Sequence, residues 1–483
     1  MDTKKLRQKI LDLAIHGKLV PQDPNDEPAS VLLERIRVEK EQLIKEGKIK
    51  APKKSKTAGD TSHYGKEEPW ELPEGWCWST IGDIFLHNTG KALNASDKEG
   101  KKLTYITTSN LYWDRFELST LKEMPFTKSE IEKCTASKGD LLVCEGGDIG
   151  RAAIWQYDYD IRIQNHIHRL RGLGEVNHRL FLFWFMYLKT TGLIGGKGIG
   201  LMGLSSGELD KLEIPVPPLR EQGSIVRKID NLFIAIQKLD EECSLLMTNI
   251  EQTKSKILDL AIHGKLMPQD PADEPAFKFL RRINPEFKPS DNLHYEGSIP
   301  SGWQIVRMGD VIDIVSGTSY QKTDIVSAGT GIRVLRGGNI QDGNILICED
   351  DVFIDSSLAN KGNTIGRGDT VIVASTGSSE LIGKAAFVTK DYPGTQIGAF
   401  LRIIRPKSIC FSEYLGLIFQ TEYYKHHIKQ VAKGTNINNI KSSYITEFVI
   451  PLPPLEEQRR IQCQLKRLLS IIDQITDFIN GSE

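Results

Sequence analysis

The sequence has no long apolar run, few cysteines and almost no net charge. Its longest uninterrupted apolar stretch, residues 180–188, is far too short to cross a bilayer. The N-terminal residues are charged and carry no apolar signal core. The 7 cysteines are scattered singly, so neither a disulfide framework nor a zinc ribbon is indicated. These absences favour a cytoplasmic protein with no membrane contact.

Recognisable catalytic motifs are also missing. Gly198, Gly200 and Gly203 fit G-x-G-x-x-G, but no helix and acidic residue follow at the distance that dinucleotide binding requires. His166 and His168 have no companion cluster of cysteine or carboxylate residues that would complete a metal site. Nothing resembles the N/D-P-P-Y/F tetrapeptide of amino-group methyltransferases. We therefore expect a non-catalytic chain that binds no metal and no cofactor.

What the sequence does contain is an internal duplication. "ILDLAIHGKL" occurs at residues 10–19 and 257–266, each time followed by a "PQDP-DEPA" segment, and "IPVPPLREQ" at 214–222 returns as "IPLPPLEEQ" at 450–458. The offsets of 247 and 236 together equal the chain length of 483 residues. Joining the two termini would therefore continue the repeat without a gap. This pattern predicts two similar units related by a pseudo-two-fold axis in a circular repeat.

A long helix is predicted after the first proline pair. From Leu219 to Leu260 the apolar positions alternate in steps of three and four, and only Thr253 interrupts the seam. Such a seam, sustained over about five heptads, is typical of a coiled coil. A helix over 219–262 would be roughly 65 Å long at about 1.5 Å per residue.

A second seam begins at Leu455 and matches the first at an offset of 236 until the chain ends. The missing part of its pattern lies at the N-terminus, so we expect residues 1–17 to complete in space the helix that Leu455 begins. The two helices are predicted to pair antiparallel as a rigid bar. A homodimeric coiled coil is the alternative.

Each long helix is preceded by a globular stretch with short β-type runs, glycine-rich turns and a few amphipathic helices. The predicted class is therefore α+β, with two similar mixed domains separated by the long helices. The expected divisions are an N-terminal helical segment at 1–36, a polar Lys-rich linker at 37–69, a first domain at 70–216, a central heptad helix at 217–266, a linker at 267–295, a second domain at 296–452 and a distal heptad helix at 453–483. Contact with a DNA backbone is an alternative role for the Lys-rich linker.

Loops at matching places in the two domains are rich in side chains that can pair with base edges or phosphates. Frame residues match between the copies whereas loop residues do not, which predicts that the domains read two different short sequences. The candidate DNA-binding residues are Lys91, Asn94, Ser109, Asn110, Arg151, Gln164, Asn165, Lys197, Tyr320, Gln321, Lys322, Arg336, Asn339, Gln341, Ser378, Lys384, Lys433, Asn436, Asn438, Asn439 and Lys441. Because the net charge is −1, we expect a partner to supply much of the attraction for phosphate.

These features resemble the specificity subunit of type I restriction-modification systems. The resemblance lies in the two "IP-PPL-EQ" segments that open heptad helices, in "GTNINNI" at 434–440, and in "LPEGW" and "IPSGW" at 72–76 and 299–303. It covers essentially the whole chain.

The resemblance implies two target-recognition domains, each of which reads one half of a split, asymmetric site in double-stranded DNA. The helices would set the spacing and dock two modification subunits, which carry S-adenosylmethionine and methylate adenine. Restriction subunits with ATP-driven activity would join them. A related fused methylase-nuclease system, an enzyme with unrecognised motifs, and a coiled-coil adaptor that does not bind DNA are the alternatives.

Overall fold

The chain forms two units in the computed structural model, Met1–Glu242 and Cys243–Glu483. The structure describes residues 2–49, 70–93, 99–194, 204–289, 293, 295, 297–328, 330–341, 343–377, 381–432 and 439–481. Within these ranges, no helix combines the length and the apolar character that a bilayer crossing requires.

The first unit contains both helices and strands, as the sequence predicts. Its elements are α1 (Thr3–Ile15), α2 (Ala29–Lys45), β1 (Cys77–Thr80), α3 (Ile81–Ile84), β2 (Phe85–Thr89), β3 (Lys101–Ile106), β4 (Leu111–Tyr112), β5 (Arg115–Phe116), β6 (Lys122–Phe126), α4 (Lys128–Cys134), β7 (Thr135–Ala136), β8 (Leu141–Cys144), β9 (Ala152–Ile154), β10 (Ile161–Ile163), β11 (Ile167–Gly172), α5 (His178–Thr190), α6 (Ser206–Asp210), β12 (Glu213–Val216) and the start of α7 (Leu219–Ile262).

Two four-stranded sheets organise this unit, with strand orders β6-β3-β10-β7 and β2-β11-β8-β9. Strands β3 and β10 are parallel, whereas β11 is antiparallel to both β2 and β8. All four residues of β8 are buried, as expected for a strand that is covered on both faces. Helix α5, which carries the longest apolar run of the sequence, is buried in the same core as α1 and the start of α7. That run is therefore a core helix.

The second unit has a similar but not identical order of elements. Its elements are the remainder of α7, then α8 (Ala276–Ile283), β13 (Gln304–Arg307), α9 (Met308–Val311), β14 (Ile312–Ser316), β15 (Ile325–Val326), β16 (Ile332–Leu335), β17 (Ile340–Gln341), β18 (Asn344–Ile345), β19 (Val352–Ile354), β20 (Thr370–Val373), β21 (Ala385–Phe387), β22 (Thr395–Ile397), β23 (Leu401–Pro406), α10 (Ser412–Ile418), α11 (Glu422–Ala432), α12 (Ser442–Thr446), β24 (Val449–Leu452) and α13 (Leu455–Asn480).

Its sheets have the orders β14-β23-β20-β21 and β15-β19-β16-β22. Strand β23 is antiparallel to β14 and β20, just as β11 is to β2 and β8. The predicted α+β class with two similar mixed domains is confirmed.

Both predicted long helices are present. In the second unit, Lys254 of α7 forms an ion pair with Asp473 of α13 at 3.0 Å, while Leu258 and Ile262 share a core with Ile461. Rising residue numbers along α7 therefore meet falling numbers along α13, so the two segments run antiparallel.

In the first unit, α1 packs against the beginning of α7. The Arg7 guanidinium lies 5.2 Å from the Phe233 ring centroid and 3.4 Å from Asp240, while Leu11 is buried in the same core as Ile229. Helix α1 therefore belongs to a helical pair with α7.

The repeated sequence motifs meet in a buried hydrogen-bonded cluster, here called the joint. In the first unit, Glu221 at the start of α7 accepts hydrogen bonds from Trp76 Nε1 at 2.9 Å and from Gln22 Nε2 at 3.1 Å. Gln22 Nε2 also donates to the backbone oxygen of Gly17 at 2.6 Å. Burial raises the pKa of Glu221. The joint thus connects the "GW" segment, the "PQDP" segment and the helix start.

The second unit has the same joint. Glu457 accepts hydrogen bonds from Trp303 Nε1 at 2.9 Å and from Gln269 Nε2 at 3.2 Å, and Gln269 also donates to Gly264 at 2.8 Å. Burial raises the pKa of Glu457 as well. The motifs that reveal the duplication therefore have a structural role.

A glycine is required beside each joint. Gly17 and Gly264 have φ values of +65° and +66°, a region that favours glycine. A Cβ atom on Gly17 would collide with the Pro73 ring, and one on Gly264 with the Pro300 ring.

The structure corrects two of the domain divisions expected from the sequence, because helices occupy the predicted boundary or linker. The boundary between 36 and 37 lies inside α2, and the stretch 267–295 contains α8. Most of the Lys-rich stretch, residues 50–69, lies outside the described residues.

Candidate nucleic-acid interface

The register of the central sheet brings several candidate loops to one edge of the first domain. His168, at the start of β11, pairs with Thr89 near the end of β2 and with Val143 near the end of β8. The loops that follow β2 and β8 and the turn that precedes β11 therefore emerge side by side. A parallel bridge between Lys91 and Gln164 joins two of these loops.

The segment before β4 reaches the same edge. Arg151 Nη2 donates to the Thr108 backbone oxygen at 2.7 Å, and the Ser109 hydroxyl lies 2.7 Å from that of Thr107. Ser109 is exposed, whereas Gln164 is half-buried.

The second domain gathers its loops in the same way. Arg402 in β23 pairs with Ser316 at the end of β14 and with Ile372 in β20. A parallel bridge joins Thr318 to Gly398. The predicted loops thus meet at matching edges of both domains.

Most of the described candidate residues are accessible at these edges. Exposed residues are Ser109, Gln321, Lys322, Arg336, Gln341, Lys384, Asn439 and Lys441, and half-buried ones are Arg151, Gln164, Asn165 and Tyr320. Asn439 is joined to Ser375 by an antiparallel bridge, so the segment before α12 borders the loop after β20. DNA contact by these residues remains a prediction.

Six candidates lie outside the described residues: Asn94, Lys197, Ser378, Lys433, Asn436 and Asn438. The glycines of the G-x-G-x-x-G segment also lie outside them.

Lys91 has a different environment from the one expected of a DNA contact. Its side chain is only 5% exposed, and Nζ donates to Glu130 at 2.8 Å and to the Pro125 backbone oxygen at 2.9 Å. The hydrogen bond from Lys91 lowers the pKa of Glu130. A lone ammonium would be costly to bury, and the carboxylate offsets that cost. Lys91 therefore has a framework role.

Asn110 is also buried, at 4% exposure. Its Oδ1 accepts a hydrogen bond from the Thr107 backbone N–H at 2.9 Å, and its Nδ2 donates to the Glu117 backbone oxygen at 2.9 Å. The side chain thereby closes the loop around the β4-β5 hairpin and does not face solvent.

Asn339 makes the corresponding contacts in the second domain. It is 3% exposed, accepts from the Arg336 N–H at 2.7 Å, and donates to Leu346 O at 2.9 Å and Asp351 Oδ1 at 2.6 Å. The sequence match between Asn110 and Asn339 therefore reflects a shared turn. A polar residue in a loop gives the same sequence signal whether it faces DNA or closes a turn, which is why both were included.

The Arg336 guanidinium group is accessible, whereas the Arg151 side chain is only 17% exposed. The Arg336 side chain is 47% exposed and lies 3.6 Å from the exposed carboxylate of Asp350, a weak surface ion pair. Arg151 lies 5.3 Å from the ring centroid of Tyr112.

Some accessible side chains at these edges were not predicted. Tyr112 is 37% exposed, and Arg115 stacks 4.7 Å from its ring centroid. The side chain of His166 is 60% exposed, and Phe400 is 67% exposed. A phenylalanine beside polar loops can indicate a binding residue, but the sequence does not show that Phe400 is exposed, because its exposure depends on the strand register.

A histidine pair anchors the end of the first domain that leads into β12. His168 Nε2 lies 2.8 Å from the Leu204 backbone oxygen, which can only accept, so this nitrogen donates. His168 Nδ1 lies 2.9 Å from His87 Nε2, and His87 Nδ1 lies 2.7 Å from Asp210. Burial lowers the pKa of His168. The relay holds Leu204 and Asp210 against β2 and β11.

The described residues contain no cluster of three or more His, Cys, Asp or Glu side chains that could hold a metal ion. The accessible groups at the edges are amides, guanidinium and ammonium groups, hydroxyls and aromatic rings. Such a set can hydrogen-bond to phosphates and base edges.

Comparison with known proteins agrees with this architecture. The family model described as "Type I restriction modification DNA specificity domain" matches residues 73–242 and again 300–480. The EcoAI type I restriction enzyme specificity subunit of Escherichia coli is 26% identical, over 99% of this chain and 91% of its own length. The EcoKI specificity subunit of the same species is 31% identical over 37% of this chain and 38% of its own.

Solved structures share the fold. A structure of the HsdS subunit from Thermoanaerobacter tengcongensis superimposes with a TM-score of 0.52 and 20% identity, covering 86% of this chain and 94% of its own. A structure from a study of complex assembly and conformational transition of the type I restriction-modification system gives a TM-score of 0.57, also at 20% identity, covering 86% of this chain and 95% of its own. Because the family model matches most of the chain, in two copies, the chain belongs to the type I restriction-modification specificity family and is a non-catalytic DNA-recognition subunit of that class.

Proposed function

We propose that each domain reads one half of a bipartite, asymmetric site in double-stranded DNA. The observation that carries this proposal is the repeated loop edge, on which matching strands present different accessible side chains in the two domains. One scaffold with two sets of surface residues has two specificities. A single continuous palindrome would call for two identical surfaces.

The long helices would set the distance between the half-sites. Half-sites centred about 34 Å apart, roughly one turn of about 10 base pairs, present the same face of the groove. The base pairs between the half-sites would then be unread.

The partners would be two modification subunits and, through them, restriction subunits. S-adenosylmethionine and ATP would bind to those partners and not to this chain. The net charge of −1 supports a role for the partners in DNA binding, because a nearly neutral chain attracts phosphates weakly by itself. A cytoplasmic location would follow from the DNA target. The names of the relatives favour a type I system over a fused methylase-nuclease, and the DNA specificity family over an adaptor that binds only proteins.

Methylome sequencing of cells that carry this chain and its modification subunits tests the proposal. We expect a motif of two short, unlike parts separated by unread bases. Replacement of residues 71–213 by the first domain of a relative should change one part only. A continuous palindrome, or a change in both parts, would contradict independent reading.

A further inference from the structure

The turn before β11 and the turn before β23 share a set of backbone hydrogen bonds. In the first domain, Gln164 N–H donates to Ile106 O at 3.0 Å, Ile167 N–H donates to Gln164 O at 3.1 Å, and Glu145 N–H donates to His166 O at 2.9 Å. These bonds fix a three-residue turn, residues 164–166, between a strand of one sheet and the central strand of the other.

In the second domain, Gly398 N–H donates to Leu335 O at 2.9 Å, Leu401 N–H donates to Gly398 O at 2.9 Å, and Ala374 N–H donates to Phe400 O at 2.9 Å. Each bond has its counterpart in the first domain. The bonds therefore place Phe400 where His166 stands. The hydrogen-bond frame is shared, whereas the last residue of the turn differs both in its side chain and in φ, which is positive at His166 and not at Phe400.

His166 occupies this position at a cost. Its φ value is +78°, and apart from Asp114 it is the only non-glycine residue with positive φ among the described residues. A side chain with a Cβ atom is disfavoured there by roughly 1 kcal/mol or more. The Asn165 Oδ1 atom accepts from the His166 N–H at 2.9 Å and supports the conformation. Strain kept at an exposed position points to a use for the imidazole.

Phe400 is costly in another way. With 67% exposure it is the second most exposed of the large hydrophobic side chains in the described residues, after Phe478 in the last turn of α13. Ala374 and Ser375 N–H groups both donate to its backbone oxygen, so the position is ordered. The exposed phenylalanine ring at this edge is available for an apolar contact with a ligand.

We infer that His166 and Phe400 are equivalent specificity-determining residues, one in each half-site, and that they read chemically different base edges. This inference rests on the proposed function. Phe400 packs on the 5-methyl group of a thymine in the major groove, the apolar feature that this groove offers. His166 hydrogen-bonds to a polar base edge through Nε2, because its Nδ1 lies 3.5 Å from the Glu145 carboxylate.

The first experiment measures binding of the complex of this chain with its modification subunits to a duplex that carries the motif found by methylome sequencing. Each thymine of the second half-site is replaced in turn by deoxyuridine, which lacks only the methyl group. One replacement should weaken wild-type binding about fourfold. With Phe400→Ala the same replacement should have no effect, because the methyl group has lost its partner.

Ile409→Ala is the matched control. Ile409 is 62% exposed, but it lies beside Gly368, at the opposite end of β20 from Ala374. It should leave the thymine effect unchanged. If Phe400→Ala retains the full effect, or if no thymine of the second half-site responds, the assignment of Phe400 is wrong.

His166→Gly tests the other turn, and it relieves the backbone strain while it removes the imidazole. We expect unchanged or higher thermal stability together with about tenfold weaker discrimination at one position of the first half-site. The second half-site should be read as before. Unaltered discrimination in both halves would overturn the assignment of His166. A wild-type motif that is not bipartite would instead refute the proposed function, so the two failures are distinguishable.

Discussion

At the residue scale, the joint buries one carboxylate in each unit. Glu221 and Glu457 are 4% and 1% exposed, and their hydrogen bonds from tryptophan and glutamine do not fully offset the loss of water. The folded state therefore binds protons at these groups more tightly than the unfolded chain does. The contribution of each group to stability is present below the ordinary glutamate pKa of 4.5 and is lost as the pH rises through the raised value.

Glu221→Gln should remove this pH dependence in the first unit. As the pH rises from about 4.5 to 7, the wild type should lose free energy of unfolding relative to the variant. Urea titrations at several pH values measure the difference, and Glu457→Gln should show the same sign. If the difference in free energy of unfolding between the wild type and the variant stays constant over this pH range, burial does not raise the pKa of the carboxyl group.

Asn110→Ala and Asn339→Ala should each reduce the free energy of unfolding by about 1–3 kcal/mol, since buried backbone groups lose their hydrogen-bond partners. Gln341→Ala is the control, because that side chain is exposed and donates to Gly338 O at 2.9 Å, and its loss should cost below about 0.5 kcal/mol. Thermal or urea unfolding measures all three. Loss of DNA discrimination by Asn339→Ala at full stability would restore it as a base contact.

The roles of single residues were only partly predictable. The sequence predicted which polar side chains lie in loops, but Lys91, Asn110 and Asn339 turn inward because the framework needs their hydrogen bonds. Phe400 escaped notice because nothing local marks a phenylalanine as exposed. Its position follows from which strand pairs with which.

At the scale of elements, each domain is fastened to its long helix by an ion pair, and the two pairs have opposite polarity. Arg179 of α5 pairs with Asp230 of α7 at 2.7 Å, whereas Glu413 of α10 pairs with Lys466 of α13 at 2.9 Å. Asp230 and Lys466 are related by the repeat offset of 236. The duplication has preserved the contact while reversing its charges.

Asp230→Asn should be more costly than Lys466→Gln. The Arg179 guanidinium makes charge-assisted hydrogen bonds with both oxygens of a half-buried Asp230, at distances of 2.7–2.9 Å, so its loss should cost about 1–3 kcal/mol. The Lys466 side chain is 72% exposed, and its loss should cost about 1 kcal/mol or less. Urea unfolding measures both, and the reverse order would contradict this reasoning.

Elements with strong periodicity were predictable. The heptad seam that begins at Leu219 predicted α7 because three- and four-residue spacing leaves no other regular structure that buries the apolar side chains. The buried runs at 141–144 and 370–373 likewise gave β8 and β20. Helices α2 and α8 were missed, since their polar faces resemble a solvated linker.

At the scale of the whole molecule, the long helices should be indispensable for assembly. Leu232→Asp combined with Leu468→Asp would place carboxylates against apolar seams, where Leu232 packs against the core of the first unit. We expect loss of the complex with the modification subunits on size-exclusion chromatography. Gln237→Asp, at an exposed position of α7, is the control and should assemble normally. A double variant that still forms the complex would disprove a role for the seam in docking.

The duplication was legible from the sequence because "PQDP", "GW" and "EQ" recur in the same order. The reason for their recurrence could not be predicted, because Gln22, Trp76 and Glu221 are distant in the sequence and come into contact only in the fold. The sequence shows which positions recur in both units, and the three-dimensional contacts show what these residues do.

The paired joints make this polypeptide its own internal standard. Trp76→Phe and Trp303→Phe delete the same hydrogen bond to glutamate at two places in one polypeptide, yet the neighbourhoods differ. Beside the second joint, Arg460 forms an ion pair with Asp273 at 2.5 Å. The repeat offset of 236 places Ser224 at the position of that arginine in the first unit. A gap between the two costs measures how the two neighbourhoods differ, with the Arg460–Asp273 ion pair as one such difference, a comparison that otherwise requires two separate proteins.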